Sequence, residues 1–446
     1  MKKFLNILFA ISLTITSANA LSINDALKDS DINNSAISIS VKDVSTGKTV
    51  YELNSRKPMN PASTLKVVTL ASSLDKLGED YEFATGLYKN TDNELILKLG
   101  ADPFLTSNDL KNLFKTARDK NIIQPKLIKV DDTILDKTEW GEGWQWDDDL
   151  NPLMPKFSAY NIDKNLLTVA VAPTSLGAPA EIKLTKFYPT TFMNLVTSGN
   201  DSALKLSKNY NIAPDVLTLE GVVSKQTEIS FPINYPKRYF MLRLEDAVRS
   251  AKIDYYGGIS TTIIPNENIY LVEKVLTPIS TAIKAILHES DNLVAETVFK
   301  LAGQKYSNTP GSAENGIKVL QAYCEKLGIN TEDIRVVDGS GVSKNNLVTS
   351  DFMTNFLVAQ FKNSPEYKEF LASAGEGTLK NRMLYMGDKL KAKTGTLSNI
   401  SAITGYITTS SGKILAFNIM INDAKSKSSD KKMLEEYILR AISSTY

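Results

Sequence analysis

An interruption constrains this chain more than any other feature. From Asp80 to Gly258, short strand-like runs at 95–99, 127–130, 166–171 and 182–184 alternate with clusters of Gly, Pro, Asn and Asp. The flanking stretches have a different texture. Before it, residues 36–41 alternate as a strand, 43–48 turn, 49–53 return, and a helix runs to about residue 77. After it, apolar positions at helical spacing (279–287, 293–301, 317–327, 350–361) precede strand-like runs at 389–397, 402–408 and 414–421 and a closing helix at 431–442. One hairpin and helix complement three strands and a helix. They predict a single α/β (α+β) domain with an antiparallel sheet, made from residues 21–80 and 260–446, carrying a large, mostly β insertion of one or two lobes at 81–259.

The 446 residues, 42% hydrophobic and 23% charged, suffice for more than one core. Lys2 and Lys3, an apolar run from Phe4 to Ile15 and the small-residue pattern Ala18-Asn19-Ala20 read as a secretory signal over 1–20, which predicts an exported, periplasmic chain. Without that segment Lys+Arg falls from 51 to 49 against 50 Asp+Glu, a net charge of −1, and nothing in this balance calls for nucleic acid. No later apolar run approaches the roughly 20 residues that cross a bilayer; the closing helix either packs on the sheet or makes peripheral membrane contact. Cys324 is the only cysteine and His288 the only histidine, so an internal disulfide and Cys- or His-rich metal sites are excluded, and no cofactor or metal is expected.

In Asn60-Pro61-Ala62-Ser63-Thr64-Leu65-Lys66, a proline opens a helix and sets a serine one turn from a lysine. The spacing alone is not specific, because it recurs at Ser45/Lys48 in a hairpin turn, at Ser73/Lys76 ending the same helix, and at Ser202/Lys205, which reads as a polar helix face. A serine nucleophile needs a base. His288 stands two residues before Ser290 and on another helix face, so no histidine triad forms. Lys66 is left, and a lysine is a base only when neutral.

Three further motifs follow in order: Ser290-Asp291-Asn292 on a helix, with Ala295-Glu296 after it; Asp338-Gly339-Ser340-Gly341-Val342-Ser343; and Lys391-Ala392-Lys393-Thr394-Gly395-Thr396-Leu397 on a strand. With Ser63-x-x-Lys66 they make the chain resemble the class C low-molecular-mass penicillin-binding proteins, the D-alanyl-D-alanine carboxypeptidase/endopeptidase family. The resemblance covers essentially the whole mature chain, the insertion included. It implies a penicillin-binding/serine β-lactamase-like transpeptidase domain. The substrates it implies are peptidoglycan stem peptides ending in D-Ala-D-Ala and their cross-links, with β-lactam antibiotics as mimics that acylate Ser63.

Side-chain chemistry fits those roles. Enclosure, a nearby Lys393 and the helix N-terminus would all lower the pKa of Lys66. Ser290 can relay a proton to the leaving amine, Asn292 can hydrogen-bond the substrate amide, and Lys393 with Thr394 can receive a terminal carboxylate. Gly395 permits close backbone approach, and the family's geometry implies an oxyanion hole from the N–H groups of Ser63 and Thr396. By the same resemblance Asp148 lies near the site entrance, a partner for a free amine on the wall peptide. Lys344 stands where the family usually has arginine, and Ala101-Asp102-Pro103 replaces a more glycine-rich motif. The cluster Trp140, Trp144 and Trp146 is read either as a buried plug between insertion and main domain or as a surface facing substrate. Two other readings of the chain stay open. One is a β-lactamase on the same fold, disfavoured by the 227 residues between Ser63 and Ser290 (290 − 63); the other is a catalytically idle wall-binding protein.

Overall fold

The computed structural model describes residues 22–210, 213–263 and 268–446, with backbone alone at 213–215; the expected signal segment lies outside the described residues. The two flanking stretches meet in one six-stranded antiparallel sheet. Its order is Ala372–Ser373, Leu390–Leu397, Ile400–Thr408, Ile414–Asn422, Ile37–Asp43, Thr49–Leu53, so the N-terminal hairpin completes the sheet of the C-terminal strands. Ile39 lies opposite Ile419, which in turn lies opposite Ile403.

Both faces of the sheet are covered. Period-2 geometry sends Leu415, Phe417, Ile419 and Ile421 to one face, where Leu434, Ile438, Leu439 and Ile442 of helix Ser428–Thr445 pack on them. Ala416 and Met420 point to the other face, against Phe352, Phe356 and Leu357 of helix Ser350–Asn363 and Leu70 of helix Lys66–Leu77. The apolar stripe of the closing helix is therefore engaged in the core. The alternation in Ile37–Asp43 has an unusual outcome. Its polar half faces protein rather than water: Ser38 Oγ lies 2.7 Å from Ser350 Oγ, Ser40 Oγ 2.7 Å from Thr354 Oγ1, and Lys42 Nζ donates to Asp351 at 2.7 Å. Residues one helical turn apart on 350–363 thus meet residues two apart on the strand.

The middle stretch builds three further sheets. Five strands run in the order Ile259–Thr261, Ile128–Asp131, Leu95–Lys98, Glu82–Asn90, Ile269–Pro278; two three-stranded sheets comprise Thr227–Pro232, Leu166–Ala172 and Glu181–Leu184, and Thr191–Ser198, Ala213–Val223 and Ala203–Asn209. The return expected near residue 260 falls inside the first sheet, because Ile269–Pro278 pairs with Glu82–Asn90 along its whole length. Ser202/Lys205, expected on a helix face, sits at the start of strand Ala203–Asn209; the alternation of Ala203, Lys205 and Ser207 with Leu204 and Leu206 has the strand period. Two helices accompany the strands. Ser107–Asp119 is capped by Thr106 and Asp109 in a reciprocal box and buries Leu110, Leu113, Phe114 and Ala117; Pro236–Ser250 packs beside it through Tyr239, Phe240, Leu244 and Ala247. Ala101 adopts φ +52°, a left-handed conformation that accounts for the glycine expected in that motif.

Glu435 lies fully buried on the closing helix, accepting from Ser401 Oγ (2.7 Å) and from Arg382 Nη2 (3.0 Å); burial raises its pKa and Arg382 pulls it back. Arg382→Ala would strand that carboxylate without its cation and should cost about 3 kcal/mol in urea unfolding. Adding Glu435→Gln should recover part of the loss; an Arg382→Ala protein as stable as the parent would show that the apolar face alone holds the helix.

Candidate active site

Ser63 sits in a tight turn, Ala62–Leu65, that runs directly into helix Lys66–Leu77. Ala62 is held at φ +46°, and Asn60 pins the bend: its Oδ1 accepts from the Ala62 N–H at 2.9 Å while its Nδ2 donates to the carbonyls of Ser343 (2.9 Å) and Asn346 (3.1 Å). The strained residue directly precedes Ser63, and the surrounding structure must fix it. The turn leans on strand Leu390–Leu397. A Cβ at Gly395 would lie 2.8 Å from the Ser63 nitrogen and 3.0 Å from the Pro61 oxygen, so only glycine admits this approach.

Lys66 is completely buried. Its Nζ donates to Ser63 Oγ (3.0 Å), Asn292 Oδ1 (2.6 Å) and the Ser340 carbonyl (2.6 Å). An ammonium satisfies all three acceptors. A neutral amine keeps two N–H bonds for Asn292 and Ser340 and turns its lone pair to the serine hydroxyl, the arrangement that removes a proton. Burial pulls the Lys66 pKa down to about 8, against the opposing pull of Asp338, Glu296 and Asp291. The effect expected of Lys393 on Lys66 falls the other way: Lys393, also fully buried, is held well below its ordinary value first by burial and then by Lys66.

Lys393 Nζ donates to Ser290 Oγ at 2.8 Å and to the Thr394 carbonyl at 2.7 Å; Thr394 Oγ1 donates to Thr378 Oγ1 at 2.7 Å. Ser290 does not stand on a helix as expected. It occupies a left-handed turn (φ +62°) between helices Ile279–Leu287 and Asn292–Ser307, and Asp291 caps the second by accepting from the Val294 N–H at 3.0 Å. The turn lets Ser290 face the strand lysine while Asn292, the first helical residue, faces Lys66. Asn292 Nδ2 donates to the Leu153 carbonyl at 2.7 Å, a bond across to the insertion. His288 lies apart from this chemistry, its Nε2 3.1 Å from the Phe370 carbonyl.

A second layer holds the first. Buried Glu296 accepts from the backbone N–H groups of Gly339 (3.2 Å) and Ser340 (2.7 Å), which fixes the carbonyl that Lys66 uses; burial and then Asp338 push the Glu296 carboxyl up to about 7. Asp338 accepts four bonds, from Gly341 N (2.8 Å), Ser343 N (2.6 Å), Asn346 Nδ2 (2.7 Å) and Trp144 Nε1 (2.9 Å). Gly341 (φ +78°) must be glycine, since a Cβ would meet the Ala62 carbonyl at 2.0 Å. Sequence reasoning quoted Glu296 and Asp338 only as motif letters. The two glycines around Ser340 were the available signal of a loop packed flat against the nucleophile turn.

A cavity of about 430 Å³ opens over Ser63, lined by Ser290, Asn292, Thr394 and Thr396 and, from the insertion, by Gly143, Gln145, Asp148, Asn151, Leu153 and Met154. None of the three tryptophans is on the cavity lining. Trp144 is buried against Phe157 and Trp140, as a plug; Trp146 is 69% exposed, edge-on to Tyr210. Asp148 lines the cavity, its carboxyl raised above the ordinary range by partial burial and by Asp147, while the charge of Lys344, also on the lining, pulls it down. Of the nine expected site residues, Ser63, Asp148, Ser290, Asn292, Thr394 and Thr396 line the cavity, Lys66 and Lys393 bond to four of these six, and Gly395 packs against Ser63. Among the described residues no group of His, Cys, Asp and Glu side chains could hold a metal ion.

The sequence and the fold have counterparts in known proteins. The chain is 25% identical over 433 residues to a D-alanyl-D-alanine carboxypeptidase of Actinomadura sp. strain R39, covering 90% of this chain and 80% of that protein. It superposes on penicillin binding protein 4 (dacB) from Haemophilus influenzae with a TM-score of 0.81 at 24% identity, covering 93% and 97% of the two chains. With the same protein complexed with a β-lactam the TM-score is 0.77 at 22% identity, covering 95% and 99%. A nucleophile turn, two buried lysines and a supporting acidic layer thus coincide with a sequence match that runs from residue 19 to residue 440, and on it the chain belongs to the D-Ala-D-Ala carboxypeptidase 3 (S13) family.

Proposed function

We propose that this chain is a serine-type D-alanyl-D-alanine carboxypeptidase and endopeptidase, cutting the D-Ala-D-Ala ends and D-alanyl cross-links of peptidoglycan stem peptides through an ester at Ser63. The observation that carries the reading is the buried Lys66 amine, shared between Ser63 Oγ, Asn292 and the Ser340 carbonyl at the floor of an open cavity. Ser63 Oγ attacks the carbonyl of the penultimate D-Ala as its proton passes to Lys66. Ser290, bonded to Lys393, gives its hydroxyl proton to the departing amine and takes the one held by Lys66 in its place, so Lys66 is neutral again and serves as base when water hydrolyses the ester. Lys393 and Thr394 take the substrate's terminal carboxylate, whose negative charge favours the charged form of a lysine that burial and then Lys66 push the other way. The Ser63 and Thr396 N–H groups receive the oxyanion; the close packing of Gly395 on Ser63 supports that placement.

β-Lactams fit the same cavity as substrate mimics whose esters hydrolyse slowly, a reading supported by the β-lactam complex of the structural relative. Export to the periplasm suits a wall polymer as substrate. Among the described residues no helix is long and apolar enough to cross a membrane.

D-Ala release from an acyl-D-Ala-D-Ala peptide tests the reading. Ser63→Ala should abolish it, and Lys66→Arg should lower it by about a thousandfold or more, because a guanidinium cannot deprotonate. Turnover by Lys66→Arg near the parent rate would remove lysine from the base role.

Since the neutral amine is the active form, acylation should be weak below Lys66's pKa and rise with pH through about 8. A flat stopped-flow acylation profile between pH 6 and 9 would contradict this.

Asp148 is proposed to pair with the free amine of a stem peptide that carries a diamino acid. Asp148→Asn should reduce kcat/KM on such peptides by about two- to fivefold while sparing penicillin acylation. Equal losses on both would make Asp148 structural.

A further inference from the structure

The cavity over Ser63 has a larger neighbour. A second cavity of about 690 Å³ opens in the insertion, between the start of helix Pro236–Ser250 and the three-stranded sheet that ends at Pro232. Its character is specific. Lys237 and Arg238 line it and no carboxylate does among the described residues; Tyr235, 55% exposed, and Phe231, Tyr188 and Leu150 supply apolar surface. Lys156 Nζ lies 5.8 Å from the Tyr235 ring centre, adding a third cation at the rim.

Those cations stand where a helix disfavours them. The first turn of a helix carries partial positive charge, and Pro236–Ser250 has no acidic residue there and no side-chain cap. Lys237 is partly balanced by Asp132 and lies 5.4 Å from the Tyr160 ring centre, but Arg238 forms no ion pair among the described residues.

The two cavities share a wall. In the segment 148–151, Asp148 and Asn151 face the Ser63 cavity while Leu150 faces the second. Asp149 between them is clamped by Lys208 and Tyr210, and Trp146 packs edge-on to Tyr210 at 4.7 Å. A ligand filling the first cavity and continuing past this segment would enter the second.

We propose that the second cavity binds another carboxylate-bearing stem peptide of the same wall polymer while Ser63 works on the first. Its carboxylates meet Arg238 and Lys237, and its apolar portion lies on Tyr235 and Leu150. This rests on the peptidoglycan reading above, and it adds what that reading lacks, a site that recognises the repeat of the polymer rather than the end of one peptide. Two weak contacts suffice, since a tethered second stem arrives at high effective concentration.

The test separates binding from catalysis. In a Ser63→Ala background, sedimentation with purified peptidoglycan measures binding without turnover, and Lys237→Glu/Arg238→Glu should weaken it about tenfold at low salt, with the difference shrinking as salt is raised. Acidic residues suit a first helical turn, so the double variant should fold. In the Ser63-containing protein the same two substitutions should leave hydrolysis of a short acyl-D-Ala-D-Ala peptide unchanged. Unaltered peptidoglycan binding, or an equal fall in short-peptide hydrolysis, overturns the proposal. Failure of the parent to cleave the short peptide, with charge-dependent wall binding intact, would instead refute the carboxypeptidase reading and leave the second site standing.

Discussion

A single buried amine organises this molecule. Lys66 has no contact with solvent, and its three acceptors come from three places far apart in sequence: Ser63 one turn away, Asn292 at the start of another helix, and the Ser340 carbonyl in a loop. A buried cation without partners would be costly, and enclosure among fixed, well-directed acceptors sets the pKa of the amine. Every surrounding feature serves that enclosure. Glu296 holds the Ser340 peptide, Asp338 holds the loop on either side of it, and Asn60 holds the strained turn that carries Ser63.

The insertion is part of this enclosure rather than an appendage. Trp144 bonds Asp338, the Leu153 carbonyl takes the Asn292 amide, and Lys164 Nζ reaches Asp291, the cap beside Ser290, at 3.0 Å. Lys164 does so from three consecutive left-handed residues, Asp163, Lys164 and Asn165. Lys300, on the same helix as Asn292 and Glu296, is buried and donates to Asp136 and, at 2.8 Å, to the Thr138 carbonyl, both inserted. Cutting the middle stretch away would therefore remove partners of Asn292, Asp291, Asp338 and Lys300. The wall of the Ser63 cavity would go with it.

What the sequence made legible follows from this physics. The C-terminal strands were plain because they are buried on both faces and read as near-continuous apolar runs, and the nucleophile helix was plain from its proline and apolar side. The site residues were legible as four motifs, because the chemistry demands those residue types. Local shape was not. Ser290 read as helical because its neighbours do, whereas its left-handed turn depends on contacts with the strand lysine and on the Asp291 cap. Helix Ser107–Asp119 was lost in a stretch dominated by turn residues, although Thr106 and Asp109 form its cap. The polar ladder from Ser38 and Ser40 to Ser350 and Thr354 joins residues more than 300 apart, and the period-2 pattern alone does not distinguish a polar face turned to water from one turned to a helix. The bond from the Asn292 amide to the Leu153 carbonyl had no signal in the sequence, because only tertiary folding supplies that partner.

The central claim is that the hydroxyl beside Lys66 is the nucleophile. Mass spectrometry of the protein after brief exposure to penicillin, followed by proteolysis and fragment mapping, tests it most directly. The account predicts one penicilloyl adduct per chain, located on Ser63. An adduct on any other residue, or none on a folded protein, would contradict it.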